Sequence, residues 1–205
     1  NVVTLYDFGL IKDRQPFLVM ELLSGGTLRH LLEAKGKIET ALALSILEGV
    51  CAGVTKAHDI SLVHRDIKPE NIFLVANGRQ VVAKVLDFGI AKPLSVATTI
   101  DGRRETGSRI LLGTLEYMSP EQRRGQAPSK AWDTWSIAVV ALEMLSGRPP
   151  VSALLPDIGP WRPGSVLKDT HAAGVDVFNR ALSIDPAERP ADAETLYREI
   201  AVACR

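Results

Sequence analysis

Eight residues, His64-Arg65-Asp66-Ile67-Lys68-Pro69-Glu70-Asn71, gather the side chains of this chain best suited to chemistry. Within six positions they set a carboxylate (Asp66), an ammonium (Lys68) and a carboxamide (Asn71). Pro69 stiffens the run and stops it from continuing as a helix. A carboxylate can accept a proton, an ammonium can hold an anionic oxygen, and an amide carbonyl can bind a hard cation. Together those meet the needs of phosphoryl transfer from a nucleotide to a hydroxyl. A polar surface loop with a few charges is the plainer alternative. Twenty-one residues beyond Asp66, Asp87-Phe88-Gly89 closes an apolar run. A carboxylate where the chain leaves a strand suits Mg²⁺, and glycine lets the backbone turn away.

These residues need a frame. Val2–Phe8 and Phe17–Met20 are apolar runs separated by Gly9 and a polar stretch, the pattern of a hairpin. Ser24-Gly25-Gly26 then reads as a flexible connector. A helix over Thr27–Lys35 should end at Gly36, and a longer one is predicted from about Glu39 to His58, with Leu42, Ile46, Val50 and Val54 as its buried stripe. Ile72–Val75 and Val81–Leu86 flank Asn77-Gly78, a second hairpin that brings Asn71 and Asp87 to neighbouring ends. Residues 88–121 lack a steady period, and so long a loop is usually functional. Trp132–Ser146 is apolar nearly all round and should sit at the centre of the core, closed by Gly147 and Pro149-Pro150. An irregular connector over 151–170 precedes two more helices, about 172–183 and 191–203. The periodicities predict a mostly helical α+β domain with two small antiparallel hairpins.

Bulk properties narrow the partners. The 205 residues are enough for one domain with a sizeable core. Lys plus Arg equals Asp plus Glu, so net charge points to no nucleic acid and no acidic membrane. Cys51 and Cys204 lie far apart without metal spacing and read as thiols of a reducing compartment. No apolar run is expected to cross a bilayer, and no signal peptide is expected within this segment. The start on Asn1, directly in an apolar segment, reads as an excerpt of a longer protein. A membrane tether outside the segment stays open.

The sequence resembles the eukaryotic-type serine/threonine protein kinases, over its whole length and with several motifs in the family's order. His64-Arg65-Asp66, with Lys68 and Asn71 at the expected offsets, resembles the catalytic loop. Asp87-Phe88-Gly89 resembles the metal-binding triplet. Gly113-Thr114-Leu115-Glu116-Tyr117-Met118-Ser119-Pro120-Glu121 resembles the end of the activation segment, in a style closest to bacterial members. Asp133-Thr134-Trp135-Ser136 opens the central helix as the family's Asp-x-Trp-Ser does.

The resemblance implies a protein-kinase-like fold: a mainly helical large lobe (27–205, activation segment 87–121), a connector at 21–26, and the last two strands of the small lobe at 1–20. It implies Asp66 as the base for the substrate hydroxyl, Lys68 on the transferring phosphate, and Asn71 and Asp87 on Mg²⁺ or alternatively Mn²⁺. Met20 would be the gatekeeper, Glu21 and Leu23 would bond adenine through their backbone, and Phe73 would touch its face. Arg65 would pair with a phosphorylated residue, for which Thr98, Thr99, Thr106 and Ser108 are candidates and ordinary solvated hydroxyls the plainer reading. Thr114 would pack against Asp66. Glu121 and Arg189 would form a buried ion pair, Asp133 would tie the central helix to the catalytic-loop backbone, and His64 would pack beneath Phe88 in a column reaching Leu5. His30, His58 and His171 have no catalytic context.

Three features depart from the family. No glycine-rich loop, strand lysine or helix glutamate precedes Leu5; an omitted N-terminal part is the expected reason, and a truncated natural protein the alternative. Ala138 stands where the central helix usually has Gly. The connector 151–170 is short for the family. The implied activity is transfer of the ATP γ-phosphate to serine or threonine hydroxyls of proteins, in the cytoplasm, with autophosphorylation of the activation segment. A pseudokinase or truncated kinase used as a binding scaffold is the rival, though a scaffold has no chemical need of Asp66, Lys68, Asn71 and Asp87 together. A small-molecule phosphotransferase fits the long activation segment poorly.

Overall fold

A computed structural model of the chain describes residues 1–12, 15–78, 80–88, 115–148 and 172–204. β1 (Leu5–Ile11) and β2 (Gln15–Met20) form an antiparallel hairpin. β1 starts later than its apolar run and continues through Gly9 instead of turning there. Gly9 faces Phe17 across the ladder, and a Cβ at Gly9 would stand 2.8 Å from the Phe17 ring. Val2 bridges to Val85 instead, tying the start of the chain to the larger sheet.

The expected flexible connector contains a strand. β3 (Gly25–Thr27) pairs with β4 (Ile72–Asn77), which pairs with β5 (Gln80–Val85), so the second hairpin is a three-stranded antiparallel sheet. Gly25 makes this docking feasible. Its φ is +146°, and a Cβ there would lie 2.0 Å from the Leu74 carbonyl oxygen. Only a residue without a side chain lets two backbones approach so closely.

α1 (Leu28–Lys35) begins on Thr27, whose hydroxyl accepts the His30 N–H, and closes on Gly36 at positive φ. α2 (Thr40–Asp59) begins on Glu39, whose carboxylate accepts the N–H groups of Ala41 and Leu42. Ile46, Val50 and Val54 are buried as the periodicity predicts, whereas Leu42 is only half-buried; Ala43, Leu47 and Cys51 widen the stripe. By length and composition α2 could cross a bilayer, contrary to the sequence expectation. Here that apolar surface packs on β5 and on two helices, α4 (Lys130–Ser146) and α6 (Ala193–Ala203). α4 is buried continuously from Trp132 to Leu145 and forms the centre of the core. Ala138 is fully buried in it. Gly147 closes α4 in the left-handed region. The short α3 (Pro120–Arg123) is capped by Ser119, and α5 (Ala172–Ala181) packs on α6 and α4. Among the described residues, Cys51 and Cys204 are free thiols, and burial pushes both thiol pKa values up.

Candidate active site

The loop carrying Asp66 runs from the end of α2 to a single 3₁₀ turn, Pro69–Asn71. Arg65 sits at φ 69° and Asp87 at φ 48°, both in the left-handed region although neither is glycine. Such residues persist where their surroundings over-determine them. For Arg65 those surroundings are clear. Asp133 Oδ2 accepts the His64 N–H at 2.8 Å and Oδ1 accepts the Arg65 N–H at 2.9 Å, while Gln122 Nε2 donates to the Arg65 carbonyl at 2.7 Å. Asp133, at the start of α4, therefore binds the backbone of the loop that carries Asp66.

Asp66 is gripped from below. Its Oδ2 receives Asn71 Nδ2 at 3.0 Å and Lys68 Nζ at 3.2 Å, and Asn71 Nδ2 also donates to the Asp66 carbonyl at 2.8 Å. Asn71 thus turns its amide hydrogens toward Asp66, which leaves its side-chain carbonyl as the oxygen it can offer a cation. The Leu86 N–H donates to the Asn71 carbonyl at 2.8 Å, and Ile72 opposes Val85, so Asp87 leaves β5 at the end where Asn71 enters β4. The Asp87 side chain is exposed. Among the described residues no three His, Cys, Asp or Glu side chains cluster as a metal site. Two oxygen donors on one sheet end suit a hard cation that completes its shell with phosphate and water, the habit of Mg²⁺.

His64 is fully buried, and its ring lies 4.6 Å from that of Phe88. Nε2 is 2.7 Å from the Leu86 carbonyl, which can only accept, so this nitrogen donates. Nδ1 accepts the Asp66 N–H at 3.2 Å. Burial pulls the pKa of the imidazole down, against the pull of Asp133, favouring the neutral ring that this pattern needs. The column does not continue to Leu5, which is half exposed at 49% in the two-stranded sheet.

The connector is fixed by Glu21. Its carboxylate accepts the Thr4 N–H at 2.7 Å and Lys84 Nζ at 2.5 Å, and its own N–H donates to the Thr4 carbonyl. Lys84 first and the Thr4 N–H second hold the carboxyl below its usual pKa. The Glu21 N–H is spent internally, so what its backbone can offer a base is the carbonyl. Met20 is 40% exposed, and Leu23 and Phe73 are half-buried, with Phe73 opposite Lys84 and Thr27 in the sheet.

Two further anchors surround the loop. Glu121 and Arg189 form the expected buried pair, bidentate at 2.6 and 2.8 Å, and the guanidinium stacks 4.9 Å from the Trp135 ring. Burial works against the Glu121 charge, but the Arg189 hydrogen bond, a backbone N–H, Ser119 and the Arg189 charge together lower the pKa. Sequence reasoning missed the second anchor. Arg29 donates to Glu70, Glu143 and the Tyr117 hydroxyl, and Tyr117 donates to Glu143 at 2.6 Å. Burial and then Glu143 push the Tyr117 phenol up. The visible signal was Glu143, a carboxylate inside the most apolar helix. His58, set aside as lacking catalytic context, is buried with Nε2 2.8 Å from Asp133 Oδ2. Gly89, Thr98, Thr99, Thr106, Ser108, Thr114, His171 and the connector 151–170 lie outside the described residues.

Residues 1–158 match the family described as the protein kinase domain. The chain is 38% identical, over 98% of its length, to a Corynebacterium efficiens protein named serine/threonine-protein kinase drp72, and spans 38% of that protein. It is 34% identical to the Bacillus subtilis serine/threonine-protein kinase PrkC, over 99% of this chain and 31% of that one. The kinase domain of Mycobacterium tuberculosis PknI superposes with a TM-score of 0.76 at 21% identity, covering 98% of this chain and 71% of that one. That likeness concerns the fold.

Proposed function

Because the chain belongs to the protein kinase domain family, we propose that it transfers the γ-phosphoryl group of ATP to serine or threonine hydroxyls of protein substrates. The observation that carries the reading is the set of contacts on Asp66: a carboxylate held by Lys68 and Asn71, on a backbone fixed by Asp133, beside the strand end that carries Asp87. A loop that only bound a partner would need none of this convergence. The names of the relatives support serine and threonine as acceptors.

In this reading Asp66 orients the substrate hydroxyl and accepts its proton, and its backbone anchors keep it aimed as charge develops. Lys68, on the same carboxylate oxygen, can swing its ammonium to a phosphoryl oxygen while staying within reach of Asp66. Asn71 and Asp87 would hold Mg²⁺, or Mn²⁺ in its place, as hard oxygen donors. Such an ion neutralises phosphate charge when bound. The adenine edge would meet the Glu21 carbonyl and the Leu23 backbone, with Met20 behind and Phe73 at its face. Residues 1–20 are read as small-lobe strands, 21–26 as the connector and the remainder as the large lobe. We place the activity in the cytoplasm.

The test is Asp66→Asn in the full-length protein, with the N-terminal part that this chain is expected to lack and without which its activity is not expected. Phosphate incorporation from labelled ATP into the chain itself or a basic model protein should vanish, while calorimetric ATP affinity stays within about threefold of wild type. Equal loss of both would remove Asp66 from the role of base. No transfer by the full-length wild type with Mg²⁺ or Mn²⁺, alongside tight partner binding, would support a scaffold instead.

A further inference from the structure

Arg29, the second residue of α1, takes no part in the chemistry above, yet every nitrogen of its guanidinium is engaged. Nε donates to Glu70 Oε1 at 2.8 Å, Nη1 to Glu143 Oε1 at 2.8 Å, and Nη2 to the Tyr117 hydroxyl at 2.6 Å. That hydroxyl passes its own hydrogen to Glu143 Oε2, so both oxygens of the Glu143 carboxylate are taken. The three acceptors come from the 3₁₀ turn after Asp66, from α4, and from the residues just before α3. They converge on a planar fork of donors, the shape of a guanidinium and not of an ammonium. A brace between α1 and α4 would need only Glu143. The Glu70 arm reaches out of the core to the loop that carries Asp66, so bracing alone does not account for Arg29.

The cluster opens outward at Glu70. The Glu70 side chain is 45% exposed, that of Arg29 21% and that of Glu143 only 3%. Glu70 directly precedes Asn71, whose amide meets the Asp66 carboxylate at 3.0 Å. A substrate segment that brings its hydroxyl to Asp66 therefore runs beside Glu70. Glu116 adds a third carboxylate to the neighbourhood. Burial and then Glu143 push its pKa up, Arg29 pulls it down, and Glu70 adds a smaller push upward. Without Arg29, Glu70, Glu116 and Glu143 would lose the cation they share. A buried carboxylate left uncompensated is costly, and a guanidinium arriving from outside would relieve it through charge-assisted hydrogen bonds.

We propose that Arg29 is a specificity-determining residue. It fills from within the place where a basic side chain of the substrate would bind, and so makes the choice of acceptor hydroxyl indifferent to arginine around it. The chain itself supplies the guanidinium that a substrate would otherwise have to bring. The inference rests on the kinase reading of Asp66. The connector is held separately, by Thr4 and Lys84 on Glu21, so loss of Arg29 acts on the acceptor and spares the nucleotide.

The experiment uses the full-length protein as wild type, Arg29→Ala and Arg29→Lys. The acceptors are peptides with one serine in a neutral background, each carrying a single arginine at one of the four positions on either side, beside the all-neutral peptide. The measurements are kcat/KM for each peptide and the ATP dissociation constant. Wild type should prefer no arginine peptide over the neutral one by more than threefold. Arg29→Ala should prefer arginine by at least tenfold at one or two positions, with ATP affinity within twofold of wild type. Arg29→Lys, whose ammonium cannot span three acceptors, should prefer arginine at the same positions by at least threefold. A wild type that already selects arginine tenfold overturns the proposal. So does an Arg29→Ala profile as flat as that of wild type, or an equal rise at every position, which general charge attraction would give. If Arg29→Ala fails to fold, Arg29→Lys decides, and a flat profile there overturns the proposal. Should the wild type transfer nothing, the reading of the reaction falls and calorimetric binding of the same peptides decides: arginine and neutral peptides bound alike by Arg29→Ala overturn the role of Arg29.

Discussion

The side chains around Asp66 divide its duties by how each is bound. Asn71 spends its amide hydrogens on the Asp66 carboxylate and backbone, so it fixes the proposed base while keeping a carbonyl to offer a cation. Lys68 reaches the same oxygen at 3.2 Å, and in the proposed reaction it is the member that turns to the phosphoryl group. Lys68→Met should therefore lower kcat by about 10²–10³-fold, the usual loss for one stabiliser of transition-state charge. The ATP dissociation constant should change far less; an equal fall in affinity would place Lys68 in ground-state binding. His64 gives a residue-scale prediction for stability. Its pKa is lowered in the folded state, mainly by burial, so the unfolded chain binds the proton more readily. Stability is then fully present above the ordinary value of 6.5 and is lost as pH falls below it. Chemical denaturation from pH 7.5 down to 5 should show this decline, and His64→Phe, which keeps the ring against Phe88, should flatten it.

Between elements, the ion pair of Glu121 and Arg189 joins α3 to the approach to α6. Glu121→Ala leaves Arg189, whose side chain has no exposure, with a charge and no counter-ion. Breaking a buried pair from one side costs about 3–5 kcal/mol. Denaturant unfolding should register a loss of that size, and a loss below about 1 kcal/mol would mean that the Ala131 and Ser183 carbonyls, which also accept from Arg189, suffice. Since the Glu121 pKa is lowered, its stabilisation is present above the ordinary 4.5 and disappears on acidification through the folded value. Elements of this kind were legible in the sequence when a single period or a local cap defines them: α2, α4 and the Asn77-Gly78 hairpin are such cases. β3 was not, because Gly25 and Gly26 read locally as flexibility, while the strand exists only by pairing with residues some fifty positions on. The Asp66, Asn71 and Asp87 grouping was legible through motif spacing. His58, Lys84 and Arg29 were hidden because their meaning lies in partners 41 to 114 residues away.

For the molecule as a whole, the decisive contact is how the strands that begin the chain are seated on the helical body. Asn1 Nδ2 donates to the Ala83 carbonyl, the Asn1 carbonyl accepts the Val85 N–H, and the Val3 N–H donates to the Val85 carbonyl. This seat lies in a notch on α2 made by Gly49 and Gly53. A Cβ on Gly53 would stand 2.7 Å from the Asn1 carbonyl oxygen, and one on Gly49 would stand 2.9 Å from the movable Asn1 amide. From the seat the chain passes to Thr4, which Glu21 binds, so the notch, the connector and β5 form one path to Asp87. Gly53→Ala would gain about 1 kcal/mol in helix propensity but push backbone against backbone, an overpacking cost of about 1–3 kcal/mol. The clash should win by roughly 1 kcal/mol, lowering the melting temperature by about 2–4 °C for a domain of this size. Because the displaced segment leads to the connector proposed to meet adenine, ATP affinity should weaken as well, while the Asp66→Asn defect should be no deeper in the double variant. Gly49→Ala meets the movable Asn1 amide at 2.9 Å and Ala83 on β5 only at 3.1 Å or more, so it should cost less on both counts. If Gly53→Ala melts above wild type with unchanged ATP affinity, the segment yields freely, and the notch is not what holds the small strands to the body.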